Sequence, residues 1–348
     1  MIPASAPERR GSSTRLLHVD ARSSTLSHRS LGELPQLLSE GDVLVVNDAA
    51  TLPASLRLQN FDAELRLVAH AAEPNSFVAV AFGAGDYRVD TDARPAPPAL
   101  PVGTRLVFTP RLEAVVTHVD AKSARLLTLR FTSVGSALWS ELYRHGRPIQ
   151  YRHVPRPLAL WDVQNVFASR PFAFELASAG LPFDHALLAA LKRRGVLLHS
   201  LTHAAGISAT GSAELDARLP LPERYEIPES TRLAVEAAQR NERRVIAVGT
   251  TVVRALEASA LENGCVRAGL GEARLRLGPG FQPRVVDGLV TGMHEPGSSH
   301  FELLRAFASA QLLERAASEA EQHGYHSHEF GDSCLLTAGR PVPSAVAA

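Results

Sequence analysis

The sequence predicts an α/β protein interrupted by an all-β insert, and three observations predict it. Apolar strand-like runs alternate with helical periodicity in roughly the first fifty residues and again after about 136. Between them, from about 56 to 132, short alternating stretches such as Glu64-Leu65-Arg66-Leu67-Val68 are separated by turns, with a proline-rich connection at 92–101 and no convincing helix. Strand–helix alternation on both sides of a β-only segment suggests an α/β domain carrying a barrel or sandwich. The expected division is a discontinuous large domain, 1–57 with 150–338, an insert at 58–149, and a disordered tail at 339–348.

The elements follow in order. Residues 15–19 read as a strand and 31–38 as a helix ending before Gly41. Asp42-Val43-Leu44-Val45-Val46 is an apolar run that ends in Asn47-Asp48, as a buried strand with polar residues at its far end would. Asp184 can cap a helix over 184–194, which Gly195 ends. Strands are expected at 196–201, 244–249 and 285–291, and helices at 228–240, 252–261 and, as one long helix, 301–322.

Composition narrows the class without fixing a function. The 348 residues are 45% hydrophobic and 21% charged, the balance of a soluble globular protein. Lys plus Arg equals Asp plus Glu at 36 each, so there is no overall basic excess of the kind nucleic-acid binders often carry, although a local patch is compatible with neutrality. The two cysteines, Cys265 and Cys334, form no CxxC pair. No apolar run reaches the roughly 18 residues of a membrane span, and residues 1–10 hold no signal-peptide core. These features fit a reducing, cytoplasmic compartment.

The sharpest local feature is Gly249-Thr250-Thr251, where a strand hands over to a helix. Ligands of α/β folds collect at that end of the sheet, and backbone N–H groups there can hold an anion. Arg254 and Glu257 share the following helix face; spacing alone favours a surface ion pair on a capped helix over a ligand role. Asp48 can face a cationic ligand or cap a turn. Ser178 and Gly180 lie in a turn before a helix, which needs no function. His294 follows a strand, and a lone histidine is more often structural than catalytic. His323, His326 and His328 cluster without a carboxylate or cysteine partner at zinc-finger spacing, so no metal is expected.

The order of these pieces resembles the S-adenosylmethionine:tRNA ribosyltransferase-isomerase family of the queuosine pathway. The resemblance is carried by Pro7-Glu8-Arg9-Arg10 with Arg15-Leu16-Leu17, by Gly41 to Asp48 with Leu52-Pro53-Ala54, and by Ala179-Gly180-Leu181 with Phe183. It continues through Tyr225-Glu226-Ile227-Pro228-Glu229, Arg244 to Thr251 with Arg254 and Glu257, Pro279-Gly280-Phe281, Val285 to Thr291 with His294, and Tyr325 with Gly331-Asp332.

The resemblance implies a large α/β barrel-like domain with an inserted β-barrel. It implies that S-adenosylmethionine is a substrate whose ribosyl part is transferred to 7-aminomethyl-7-deazaguanine in tRNA, giving epoxyqueuosine and releasing adenine and methionine. A monomer is expected. The matched residues imply a catalytic set of His294, Arg254 and Asp287, and a set binding S-adenosylmethionine of Asp48, Ser178, Gly180, Gly249, Thr250, Thr251, Glu257 and Asp332. His294 is the expected proton-transfer group, because histidine titrates near neutral pH.

The chain departs from the family pattern at Ala49-Ala50-Thr51, Ala177-Ser178, Pro182, Ala205 to Ala209, Leu221-Pro222, Gly292, Ser298-Ser299-His300 and His326 to Phe330. His203 stands one residue out of register with the family's strand histidine. Strands and helices are kept while pocket positions change. Two other readings therefore stay open: an enzyme using the same substrate on a small-molecule acceptor, and a non-catalytic binding protein.

Overall fold

The computed structural model describes residues 1–8 and 11–338. The expected disordered tail lies outside the described residues. A nine-stranded mixed sheet organises the α/β part. From one edge its strands are Gly269–Ala273, Glu223–Ile227, Leu197–His203, Val43–Asn47, Val245–Val248, Gly288–Gly292, Ser333–Thr337, Arg15–Asp20 and Thr25–Ser30. The four central strands, from Leu197–His203 to Gly288–Gly292, run parallel.

Every residue of Val43–Asn47 and of Val245–Val248 is buried, as expected of strands covered on both faces. Alternation sends Val43, Val45, Val245 and Ala247 to one face, against the helices Glu229–Arg240 and Thr250–Asn263. Leu44, Val46, Ile246 and Val248 go to the other, against Leu187 and Leu191 of the helix His185–Arg193. Asp184 caps that helix as its sequence predicts, accepting from the Leu187 N–H at 2.7 Å.

The β-only segment forms a six-stranded antiparallel sheet in the order Ser55–Arg57, Glu64–His70, Ser76–Phe82, Leu126–Phe131, Leu112–Val119, Arg105–Thr109. Next to the first strand, the Gln59 N–H donates to Val107 O in the last at 2.7 Å, so the sheet is nearly closed into a barrel. Phe77, Phe108 and Phe131 fill it, and Leu138 and Leu142 of the helix Gly135–His145 join the same core.

Two expectations change. The helix expected at 301–322 is two, Ser299–Leu304 and Ala310–Gln322; Ser309 breaks the run because its hydroxyl caps the second, accepting from the Leu312 N–H at 3.3 Å. The stretch 31–38 holds a single short turn, Leu31–Glu33, followed by the helix Leu34–Leu37. The parallel strands place Asn47, His203, Val248 and Gly292 at one edge, the C-terminal edge where α/β folds bind ligands.

Candidate active site

The site begins at those strand ends. Asn47 clamps its neighbour: its Oδ1 accepts from the His203 N–H at 3.0 Å, and its Nδ2 donates to His203 O at 3.1 Å and to Thr251 Oγ1 at 3.4 Å. Gly249 makes the turn into the helix Thr250–Asn263 with φ of +96°, and its N–H donates to Val290 O at 2.8 Å. A Cβ there would lie 3.4 Å from Ala179 Cβ, so the Gly249 turn and the short turn Ser178–Gly180 meet. Thr250 and Thr251 lie in the first helical turn, whose N–H groups have no partners within the helix. Beside them a cleft is lined by Ser178, Ala179, Gly292, His328, Glu329 and Asp332.

Histidines dominate the neighbouring wall. His294 Nε2 lies 2.8 Å from Thr291 Oγ1, and its ring stacks on His300 with centroids 5.1 Å apart. Burial pushes the His294 pKa well below its ordinary value, with His300 and His328 acting in the same direction. Burial thus favours the neutral imidazole of His294 and makes it a weaker base than an exposed histidine. Burial lowers the His300 pKa too, and the charge of Arg254 acts in the same direction.

Arg254 is almost fully buried. It pairs with Glu223 and donates to Ala273 O at 3.0 Å and Leu275 O at 3.2 Å. Burial draws its pKa down to about 10, so it stays charged at neutral pH. Glu223 also accepts from the Gly206 N–H at 2.7 Å and lies 3.4 Å from His203 Nε2. His203 is fully buried and, through burial and then Arg254, neutral. Arg254 thus cross-links the helix to the sheet edge.

The remaining predicted residues divide. Asp332 lines the cleft while its Oδ2 accepts from the His326 N–H at 2.8 Å and its carbonyl from the Met293 N–H at 3.1 Å, so it shapes the turn beside His294. Gly180 lies beneath the cleft; a Cβ there would fall 2.8 Å from Asn165 Nδ2. Asp48 sits at the strand end, its carboxylate accepting from Thr202 Oγ1 at 2.6 Å and Ser200 Oγ at 3.1 Å.

Two lie elsewhere. Asp287 precedes the strand Gly288–Gly292, at the end away from His294, about 15–20 Å along the strand, and accepts from the Val245 N–H at 2.8 Å. Glu257 is fully buried, accepting from the N–H groups of Arg284 at 2.9 Å, Val285 at 3.0 Å and Val286 at 2.9 Å. Both carboxylates close backbone donors. The surface ion pair that spacing suggested for Arg254 and Glu257 is not formed: both side chains are buried, and Arg254 pairs with Glu223.

Sequence reasoning passed over a polar network on the barrel side. Glu175 accepts from Ser208 Oγ at 2.5 Å, from the Ser208 N–H at 3.2 Å and from Tyr151 Oη. Burial raises its pKa to about 7 against those bonds. Glu329 lies 2.6 Å from His153 Nε2, and His153 stacks on His328 at 4.4 Å between centroids. Burial pushes the Glu329 pKa up, but the bond from His153 outweighs it and holds the carboxyl below its ordinary value. Of these, Ser208, His328 and Glu329 stand at positions where the chain departs from the family pattern; that coincidence was the available signal. Among the described residues, His153, His328 and Glu329, and separately His28, Glu319 and His323, are near enough to share a cation; in the first group His153 and Glu329 already satisfy each other.

The geometry agrees with what the chain is similar to. The family model described as Queuosine biosynthesis protein matches residues 1–336. An S-adenosylmethionine:tRNA ribosyltransferase-isomerase from Gloeobacter violaceus is 34% identical over 339 residues, covering 94% of this chain and 90% of the relative. One of the same name from Parvibaculum lavamentivorans is 31% identical over 342 residues, covering 95% and 94%. The crystal structure of S-adenosylmethionine tRNA ribosyltransferase from Thermotoga maritima shares the fold, with a TM-score of 0.53 at 24% identity over 96% of each chain. With full-length matches of this kind, the chain belongs to the queuosine biosynthesis protein family.

Proposed function

We propose that the chain is a cytoplasmic, monomeric S-adenosylmethionine:tRNA ribosyltransferase-isomerase. It would move and isomerise the ribosyl part of S-adenosylmethionine onto 7-aminomethyl-7-deazaguanine in tRNA, forming epoxyqueuosine and releasing adenine and methionine. The observation that carries this is the run of relatives of that name, more than 30% identical along nearly the whole chain. Among the described residues no helix is long and apolar enough to cross a membrane, which is compatible with the cytoplasmic reading.

In this reading the cleft beside Ser178, Gly249, Thr251 and Asp332 receives S-adenosylmethionine. His294 takes a proton from the carbon next to the cationic sulfur; its neutral state supports that role. Arg254 acts by holding the edge of the pocket. The two-part division belongs to the same proposal, with the barrel as a second wall for the tRNA; its first boundary falls before Ser55 and not at 57/58, because Ser55–Arg57 is the first strand of the barrel sheet.

The test is to incubate the protein with S-adenosylmethionine and tRNA with or without 7-aminomethyl-7-deazaguanine. Adenine and methionine should appear together, and only with the modified tRNA. Release with a small amine but not with tRNA would favour a small-molecule acceptor. Binding without turnover on any acceptor would favour a non-catalytic role.

A further inference from the structure

We propose that Trp161 is a stacking platform for an unpaired base of the substrate tRNA at the rim of the cleft. The assignment rests on the tRNA reading and adds a recognition residue to it. Trp161 lies in the short turn Leu160–Val163 and is 75% exposed. One exposed apolar side chain is ordinary on a protein surface, so the place of this one decides its meaning.

The neighbours of Trp161 build the cleft wall. Asp162, next in the chain, lines the cleft. Val163 is buried and Leu160 partly so, and both pack in one apolar cluster with Leu181 and Phe330, which line the cleft too. Residues three apart in a turn of this kind lie on the same side, so Leu160 and Val163 anchor it while Trp161 is left facing solvent. Hydrogen bonds fix the anchor. Thr51 Oγ1 donates to Val163 O at 2.9 Å. Gln164 Oε1 accepts from the Thr51 N–H at 3.0 Å, and its Nε2 donates to Thr51 O at 2.9 Å. Asp162 Oδ2 accepts from the Ala159 N–H at 2.9 Å and closes the turn. The indole thus rides on a held backbone, and little freedom is lost when a flat ligand covers it.

The position suits RNA. The same segment meets both walls: Thr51 holds it on the α/β side, and Arg66 of the barrel strand Glu64–His70 donates to Gln150 O at 3.4 Å. A tRNA base that enters the cleft must leave its stack, which uncovers the base beside it, and an aromatic ring at the rim replaces the lost partner. Arg156, about half-exposed, reaches Asp162 Oδ2 at 3.5 Å, one residue from Trp161. A guanidinium close to an aromatic ring is the pair that single-stranded nucleic acid meets, the ring taking the base and the cation the phosphate. The chain carries 36 basic and 36 acidic residues, so a general basic excess does not supply the affinity, and stacking carries more of it.

The test uses the two tryptophans of the chain, Trp139 and Trp161. Trp139 packs edge-on against Phe77, with ring centroids 6.2 Å apart, so Trp139→Phe keeps an aromatic ring there and leaves Trp161 as the one reporter. Titrating that protein with tRNA that carries 7-aminomethyl-7-deazaguanine should quench its fluorescence. Trp161→Ala should raise the tRNA Kd and KM about 5–150-fold, with S-adenosylmethionine affinity kept and kcat recovered at saturating tRNA. Trp161→Phe should restore most of the affinity. Wild-type tRNA affinity in Trp161→Ala, or tRNA binding to the Trp139→Phe protein with no change in fluorescence, overturns the assignment alone. Wild type that binds no tRNA overturns the tRNA reading, and the assignment with it.

Discussion

His294 and His300 lie face to face, with ring centroids 5.1 Å apart and planes 15° from parallel. Burial, and after it the neighbouring His300 and His328, disfavour the charged ring, so His294 rests as the neutral imidazole. His294→Ala should lower the rate of adenine release about 10²–10⁴-fold and leave S-adenosylmethionine binding largely intact. Comparing kcat with an equilibrium binding constant separates the two. Normal turnover in the variant would return His294 to a structural role.

Arg254 should behave differently, because every contact it makes is internal. It pairs with Glu223 and donates to Ala273 O and Leu275 O. Removing it leaves a buried carboxylate without its cation, a change that typically costs about 3–5 kcal/mol. Arg254→Ala should therefore lower the urea midpoint clearly, with activity lost in step with folded protein. An Arg254→Ala protein of wild-type stability but without activity would show that Arg254 meets substrate directly.

Legibility in the sequence followed physical range. The apolar run ending in Asn47-Asp48, the Asp184 cap and the Gly249-Thr250-Thr251 handover were readable because each depends on neighbours a few residues away. The β-only texture likewise announced the barrel. Asp287 and Glu257 could not be sorted from Arg254 by position, since a carboxylate that closes backbone donors and one that meets a ligand look alike in sequence. The pairing of Glu175 with Ser208, and of His153 with Glu329, joins segments 33 and 176 residues apart. No local pattern announces such pairs; only the fold brings them together.

Gly249 offers a test of the turn itself. Its φ of +96° is a conformation that side-chain-bearing residues rarely adopt, so an added Cβ strains the turn whatever the space around it. Gly249→Ala should cost about 1–3 kcal/mol of stability and weaken S-adenosylmethionine binding as the turn distorts. Thermal melts with and without S-adenosylmethionine measure both. Unchanged stabilisation by the ligand would mean that it does not rest on this turn.

Glu175 also predicts how stability depends on pH. Its pKa in the folded protein is raised from 4.5 to about 7, chiefly by burial. The folded state therefore holds a proton that the unfolded chain releases. The contribution of Glu175 to stability is fully present below about pH 4.5 and is lost as pH rises through about 7. Glutamine cannot ionise, so Glu175→Gln removes this one dependence and leaves the others in place. Urea midpoints of wild type and Glu175→Gln should be compared at pH 5, 6, 7 and 8. The difference should move in favour of the variant as pH rises, with most of the change between 5 and 7 and little beyond. A difference that stays flat across that range would mean that Glu175 ionises in the folded protein as it does in the unfolded chain.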